Sequence, residues 1–278
     1  MASFPLLLDP LDLLSHVDDP QLRLIDLGRL AVYRQVHIRG AYWLDGKRLM
    51  AGGEDGGKLP SLERLIALCQ QLGLHPDQSI VLYDDEGGGW AGRMLWTLHC
   101  LGFTRVSLLD GGIHGWLAAG LPTEEGEPPA PKSAPLDYTL PTVDAQPQVQ
   151  IDRHQIEQQL ADQTFALWDC RSLEEYTGER LAARRGGHLP SAMHYEWTDA
   201  MDKQNGLRLK SQDQIRQALI ERGIICGKPI VTYCQSHHRS GFAYALGCIL
   251  GLDIRAYDGG FSEWGNCRDT PLTTGATP

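Results

Sequence analysis

The stretch of this chain best equipped for chemistry is Cys234-Gln235-Ser236-His237-His238-Arg239-Ser240, a thiol followed by four polar residues, an arginine and a serine. Four residues of β character, Ile230 to Tyr233, lead into it, and an apolar segment with helical spacing begins near Gly241. The pattern predicts a thiol where a strand ends and a helix starts. Backbone N–H groups of such a loop curl around a point above the sulfur, and the positive end of the helix dipole faces the same point. Both favour an anion. With Arg239, His237 and His238 nearby, the thiol should lose its proton more readily than a free cysteine, whose pKa is about 8.5. A buried structural cysteine is the competing reading, and the polar neighbours weigh against it.

The rest of the chain must position this loop. Its 278 residues, 42% hydrophobic and 22% charged, fit a soluble globular protein of two domains. A formal net charge of −10 argues against a general nucleic-acid binder or an anionic-membrane binder, so any useful positive potential must be local. Seven cysteines without paired spacing fit a reducing compartment. The N-terminal MASFPLLLDPLDLL has no basic region and carries Asp9 and Asp12 among its apolar residues, a poor signal peptide. With no apolar run of about eighteen residues, the expected location is the cytoplasm.

The chain also repeats itself. Ser61, Leu65, Gly73, Ile80, Val81 and Tyr83 match Ser211, Ile215, Gly223, Ile230, Val231 and Tyr233, all 150 residues apart. LIDLGR (24–29) resembles LWDCRS (167–172), HIRGA (37–41) resembles HLPSA (188–192), and LDGGIHGW (109–116) resembles YDGGFSEW (257–264), in the same order. In the first copy, strands are expected at 22–27, 80–83 and 106–109, and helices at 62–72, 92–101 and 113–119. Trp116 and Trp264 are expected to begin helices, and both DGG turns to need glycine for positive φ. The fold class is therefore α/β: two tandem domains, each a mostly parallel sheet flanked by helices on both faces. Domain one is expected at 1–122 and domain two at 149–278, joined by a proline-rich linker at 123–148.

The copies differ at the decisive position. Strand VTY leads to Cys234, whereas VLY leads to Asp84, followed by acidic and glycine-rich residues unsuited to an anionic substrate. The second copy should be catalytic and the first a scaffold. Asp84 as a nucleophile is the minor alternative.

Taken together, the duplication, the D-x-R segment Asp169 to Arg171, HIRGA and HLPSA, the cysteine loop in the second copy and the DGG-x-x-x-W signatures resemble tandem-domain rhodaneses. The CQSHHRS loop resembles that of a bacterial thiosulfate sulfurtransferase subgroup. The resemblance implies transfer of sulfane sulfur from thiosulfate, through a persulfide on Cys234, to cyanide, a thiol, thioredoxin or another sulfur-accepting protein. It implies no cofactor or metal. A 3-mercaptopyruvate sulfurtransferase is one alternative, and a non-enzymatic persulfide carrier or redox sensor is another. Because the duplicated chain supplies the packing that a homodimer would, a monomer is expected.

Within that frame several roles stay open. Arg239 either draws the dianionic substrate or holds the loop through backbone carbonyls or a partner such as Asp169. For His237 and His238 the choice is between contact with the leaving sulfite or thiol and plain exposure to solvent. Gln235, Ser236 and Ser240 complete the substrate loop. Asp169 and Arg171 are expected to pin a strand end near it, and Trp197 to pack close by. A zinc site on Cys234, His237 and His238 is disfavoured, since three groups on so tight a loop do not reach tetrahedral geometry. Many relatives carry an arginine where this chain has Glu175; Arg184 or Arg185 is the suggested substitute. Cysteine phosphatases are the enzymatic rival, but their loops place five residues between cysteine and arginine, and this one places four.

Overall fold

The computed structural model describes residues 4–53, 56–129 and 148–278, so most of the expected linker lies outside the described residues. Two compact units are present. One takes Met1–Leu49, Pro60–Gln146 and Met201–Leu209, and the other Met50–Leu59, Pro147–Ala200 and Lys210–Pro278. No helix of the described residues is long and apolar enough to cross a membrane.

The first unit carries β1 (Leu7–Leu8), β2 (Leu22–Asp26), β3 (Tyr42–Trp43), β4 (Ser79–Tyr83) and β5 (Val106–Leu109) in a fully parallel sheet of order β1-β5-β4-β2-β3. Its helices are α1 (Pro10–Leu14), α2 (Leu30–Gln35), α3 (Leu62–Leu72), α4 (Gly89–Cys100) and α5 (Gly112–Ala118). Central β4 is buried along its whole length, as expected of a parallel strand covered on both faces. The Ser61 hydroxyl caps the start of α3 and Gly73, at φ 58°, ends it.

The second half carries α6 (Arg153–Gln159), β6 (Ala166–Asp169), α7 (Leu173–Thr177), β7 (Ala192–His194), the antiparallel pair β8 (Met201–Asp202) and β9 (Arg208–Leu209), α8 (Gln212–Glu221), β10 (Ile230–Tyr233), α9 (Arg239–Ile249), β11 (Ile254–Ala256) and α10 (Gly260–Trp264). The parallel sheet of the second unit has the order β11-β10-β6-β7. Val231 and Tyr233 meet Phe261 and Trp264 in its core.

The duplication extends to individual hydrogen bonds. The Tyr83 hydroxyl accepts from Ile38 N at 3.1 Å and the Tyr233 hydroxyl from Leu189 N at 3.2 Å. His37 stacks on Tyr33 with centroids 4.0 Å apart, and His188 on Tyr176 at 3.7 Å. Trp116 and Trp264 donate to the carbonyls of Pro122 and Pro271.

One expectation needs correcting. The tryptophans do not begin their helices: α5 and α10 start at the second glycine of each DGG turn, and Trp264 is the last residue of α10. Both turns do use glycine at positive φ, at Gly111 and Gly112 in the first copy and at Gly260 in the second, while Gly259 has φ −61°.

Candidate active site

Cys234 follows β10 directly. In the sheet β10 pairs with β6, and the connections leaving these two strands run to opposite edges, to β11 and to β7, so their carboxyl ends flank the crevice where open parallel sheets place their sites. The carbonyls of Cys234 and Gln235 are turned outward and accept from Phe261 N (2.8 Å) and Ser262 N (2.9 Å) of α10. Gly260 allows this approach, since a Cβ on it would sit 2.7 Å from both carbonyl oxygens. With its carbonyls directed at α10, the loop is free to turn N–H groups toward the sulfur. Helix α9 begins at Arg239, earlier than expected, and its N-cap His238 makes no side-chain cap.

Around the thiol the loop is dense. Cys234 is 1% exposed and His237 fully buried. The Ser240 hydroxyl donates to Cys234 Sγ at 3.4 Å and lies 2.7 Å from His237 Nδ1. The Ser240 hydroxyl thus bridges the thiol sulfur and the His237 ring nitrogen. His237 has φ +55°, a left-handed conformation unusual for histidine, and it matches Gly87 at φ +94° in the first copy. Of the two readings left open for the histidines, plain exposure to solvent does not hold for His237, whose imidazole is buried in the loop interior. His238 is half-buried and packs edge-on to Trp197 at 5.9 Å, and Trp197 also meets Phe242 at 5.8 Å. Trp197 thus lies against the loop.

Arg239 is committed to a carboxylate, and the carboxylate is Glu175 rather than Asp169. Its two terminal nitrogens donate to the Glu175 oxygens at 2.6 and 3.1 Å, a bidentate fork. Glu175 also accepts from Ser172 N at 3.1 Å as part of the capping box that starts α7. Although burial acts to raise it, the Arg239 bonds and charge hold its carboxyl down to about 2. Asp169 and Arg171 form a separate buried pair at 2.6 Å. Arg171 also donates to Gly187 O at 2.8 Å and stacks 3.9 Å over the Phe261 ring, tying the end of β6 to α10.

Burial alone would raise the Cys234 thiol, but the Arg239 charge, the Ser240 hydroxyl and amide, and the His238 charge outweigh it. The thiol titrates below its ordinary value. Arg185 does not serve an anion: its guanidinium is bound to the carbonyls of Trp264, Cys267 and Thr270 at the end of α10. Arg184 is exposed, its backbone N–H on Asn266.

Sequence reasoning missed two contacts. Gln235 Nε2 donates to Ala182 O at 2.7 Å, tying the loop to the segment before HLPSA. Gly57, from the first half of the sequence but part of the second compact unit, lies against the loop backbone: a Cβ there would be 2.2 Å from Ser236 O. Its neighbours hold it in place, with Lys58 paired to Glu263 at 2.8 Å and Leu59 N on buried Asp258 at 3.0 Å.

The equivalent loop of the first copy closes on itself. The Asp84 carboxylate is fully buried and accepts from Glu86 N (3.1 Å), Gly88 N (2.8 Å) and Ala91 N (3.0 Å). A nucleophilic role for Asp84 is incompatible with this arrangement, because both oxygens are occupied and sealed from solvent.

Two α/β units of matching topology, one with a low-pKa thiol in a strand-to-helix loop, define a class of sulfur-handling enzymes, and the comparisons agree. The rhodanese-like domain family model matches residues 9–119 and 152–267, and the chain belongs to the rhodanese family. It is 41% identical to a thiosulfate sulfurtransferase of Azotobacter vinelandii, over 98% of each chain. A thiosulfate sulfurtransferase of Pseudomonas aeruginosa is 38% identical, again over 98% of each. Among solved structures, the 3-mercaptopyruvate sulfurtransferase SseA of Escherichia coli superposes with a TM-score of 0.78 at 26% identity, over 94% of this chain and all of that one.

Proposed function

We propose that this chain is a thiosulfate sulfurtransferase that carries sulfane sulfur as a persulfide on Cys234. The thiolate attacks the outer sulfur of thiosulfate, the S–S bond of the substrate breaks, and sulfite leaves with the bonding pair. Cyanide, a thiol, thioredoxin or another sulfur-accepting protein then takes the outer sulfur and restores the thiolate. The persulfide is itself an anion, so the donors that lower the thiol also hold the intermediate. Ser240 donates to sulfur, His237 fixes the direction of that hydroxyl, and Arg239 supplies positive potential while Glu175 anchors it.

The observation that carries this reading is the Cys234 thiol at the end of β10, accepting from the Ser240 hydroxyl, in a loop whose sister copy holds a carboxylate through three backbone N–H groups. Thiosulfate is favoured over 3-mercaptopyruvate because the loop is basic. Seven cysteines without paired spacing fit a reducing compartment, and we place the chain in the cytoplasm as a monomer. Intact-protein mass spectrometry tests the cycle. Thiosulfate should add one sulfur atom to the wild type and none to Cys234→Ala, and cyanide should remove it. A wild type that gains nothing rules out thiosulfate as donor.

A further inference from the structure

One thiol beside the site has no task in this cycle. Cys170 follows β6 as Cys234 follows β10. Tyr233 faces Asp169 in the ladder, and Cys170 N donates to Tyr233 O at 3.1 Å. In a parallel ladder that bond places Cys170 opposite Cys234. Residues in register on adjacent parallel strands point to the same face about 4.8 Å apart, inside the roughly 4.4–6.8 Å between Cα atoms that a disulfide spans. Neither cysteine is in a disulfide, and both are buried. The Cys170 thiol donates to Tyr233 O at 2.9 Å and lies 3.2 Å from Thr232 Oγ1.

We propose that Cys170 is a resolving thiol for the Cys234 persulfide: when no acceptor arrives, the two close to a disulfide and expel the outer sulfur as hydrosulfide. This rests on the sulfur-transfer reading above. The Cys170 sulfur attacks Cys234 Sγ, the Cys170–Cys234 bond forms, and the bond from Sγ to the outer sulfur breaks with its pair going outward. The outer sulfur, reduced to sulfide, takes the proton Cys170 gives up, and the two protein sulfurs are oxidised to the disulfide. No external oxidant takes part, and a dithiol reductant reopens the pair for the next cycle.

Burial first, and the neighbouring Cys234 charge second, hold the Cys170 thiol well above its ordinary value. Since the thiolate is the attacking form, closure is slow at neutral pH and quickens as pH rises. The persulfide is thereby given time to meet an acceptor.

The test loads the full chain with thiosulfate, desalts it, and holds it without acceptor at neutral and at alkaline pH, following intact mass and trapped sulfide. The sulfur-laden species should give way to one two hydrogens lighter than the starting protein, with an equal amount of sulfide and a cross-linked Cys170–Cys234 peptide, faster at alkaline pH. Cys170→Ser, which keeps a hydroxyl toward Thr232 and Tyr233, should retain its persulfide over the same interval; Cys170→Ala serves if that variant does not fold. The inference is overturned if the wild-type persulfide lasts as long as that of the variant, or if the lighter species is linked through a different cysteine. Failure to take up sulfur at all removes the sulfur-transfer reading instead, and this inference with it.

Discussion

After β4 the chain wraps its loop around a carboxylate of its own, whereas after β10 the corresponding turn of backbone is wrapped around a sulfur. The backbone of the two loops is alike at Gly87 and His237, both at positive φ, and parts at the next residue, where Gly88 has φ 106° and His238 φ −86°. In both, a helix start approaches the outward carbonyl, Ile113 N of α5 on Asp84 O and Phe261 N of α10 on Cys234 O. The larger difference is the occupant. Asp84 satisfies its donors permanently, and a loop so filled offers nothing to a ligand. Cys234 presents one polarisable atom and leaves the anion to come from outside. Catalytic capacity here depends less on the shape of the turn than on whether the protein has already supplied the charge the turn attracts.

The largest effect should come from erasing that difference. Cys234→Asp rebuilds the first loop in the second unit. We expect thiosulfate-to-cyanide turnover to vanish while the fold holds, with a melting temperature at or above that of Cys234→Ala, because hydrogen bonds to a charged acceptor contribute about 2 kcal/mol each. A Cys234→Asp protein that melts below Cys234→Ala would show that the second loop is not an anion cradle of the first kind.

Gly57→Ala probes how tightly the sulfur loop is held. The added methyl falls on the Ser236 carbonyl, so the loop or residues 56–59 must shift. A misplacement of about 1 Å can cost about 10²-fold, and we expect kcat/KM to fall by roughly tenfold or more, with slower alkylation of Cys234 at neutral pH. Unchanged kinetics would mean that the segment yields without moving the loop.

The smallest effect separates the two strand ends beside the loops. Asp169 has Arg171 as its partner; in the first copy that place is Gly28, and Asp26 is left near Asp84 and Asp85. Burial above all raises Asp26 to about 7, with the two neighbouring charges adding to it. The folded protein therefore keeps a proton that the unfolded chain gives up near the ordinary carboxylate value of 3.8. Stability conferred by the protonated acid is complete below that value and declines as pH rises toward about 7. Asp26→Asn should flatten this decline in denaturation midpoints between acid and neutral pH, and an unaltered slope would place it elsewhere.

Much of this was legible in the chain itself. The repeat at a spacing of 150 residues exposed the duplication, and VTYC followed by polar residues located the thiol at a strand end. The partner of Arg239 was harder. S-L-E-E at 172–175 is a readable helix start, but that its glutamate also meets an arginine 64 residues later depends on the fold bringing the first turn of α9 within side-chain reach of α7. Gly57 left no local trace, because a close backbone approach between distant segments has no periodicity. The place of His237 stayed open because a polar residue in a polar loop gives no sign that its ring is buried within that loop.

The His237 conformation also bears on timing. A non-glycine residue held at positive φ, with its ring enclosed and hydrogen-bonded to Ser240, leaves the loop few other shapes to visit. The donors are then arranged before any sulfur arrives, and loading the enzyme requires little rearrangement of the protein. The first half-reaction should accordingly be governed by how fast thiosulfate meets the loop and sheds its water, and show the salt dependence of an encounter between charges.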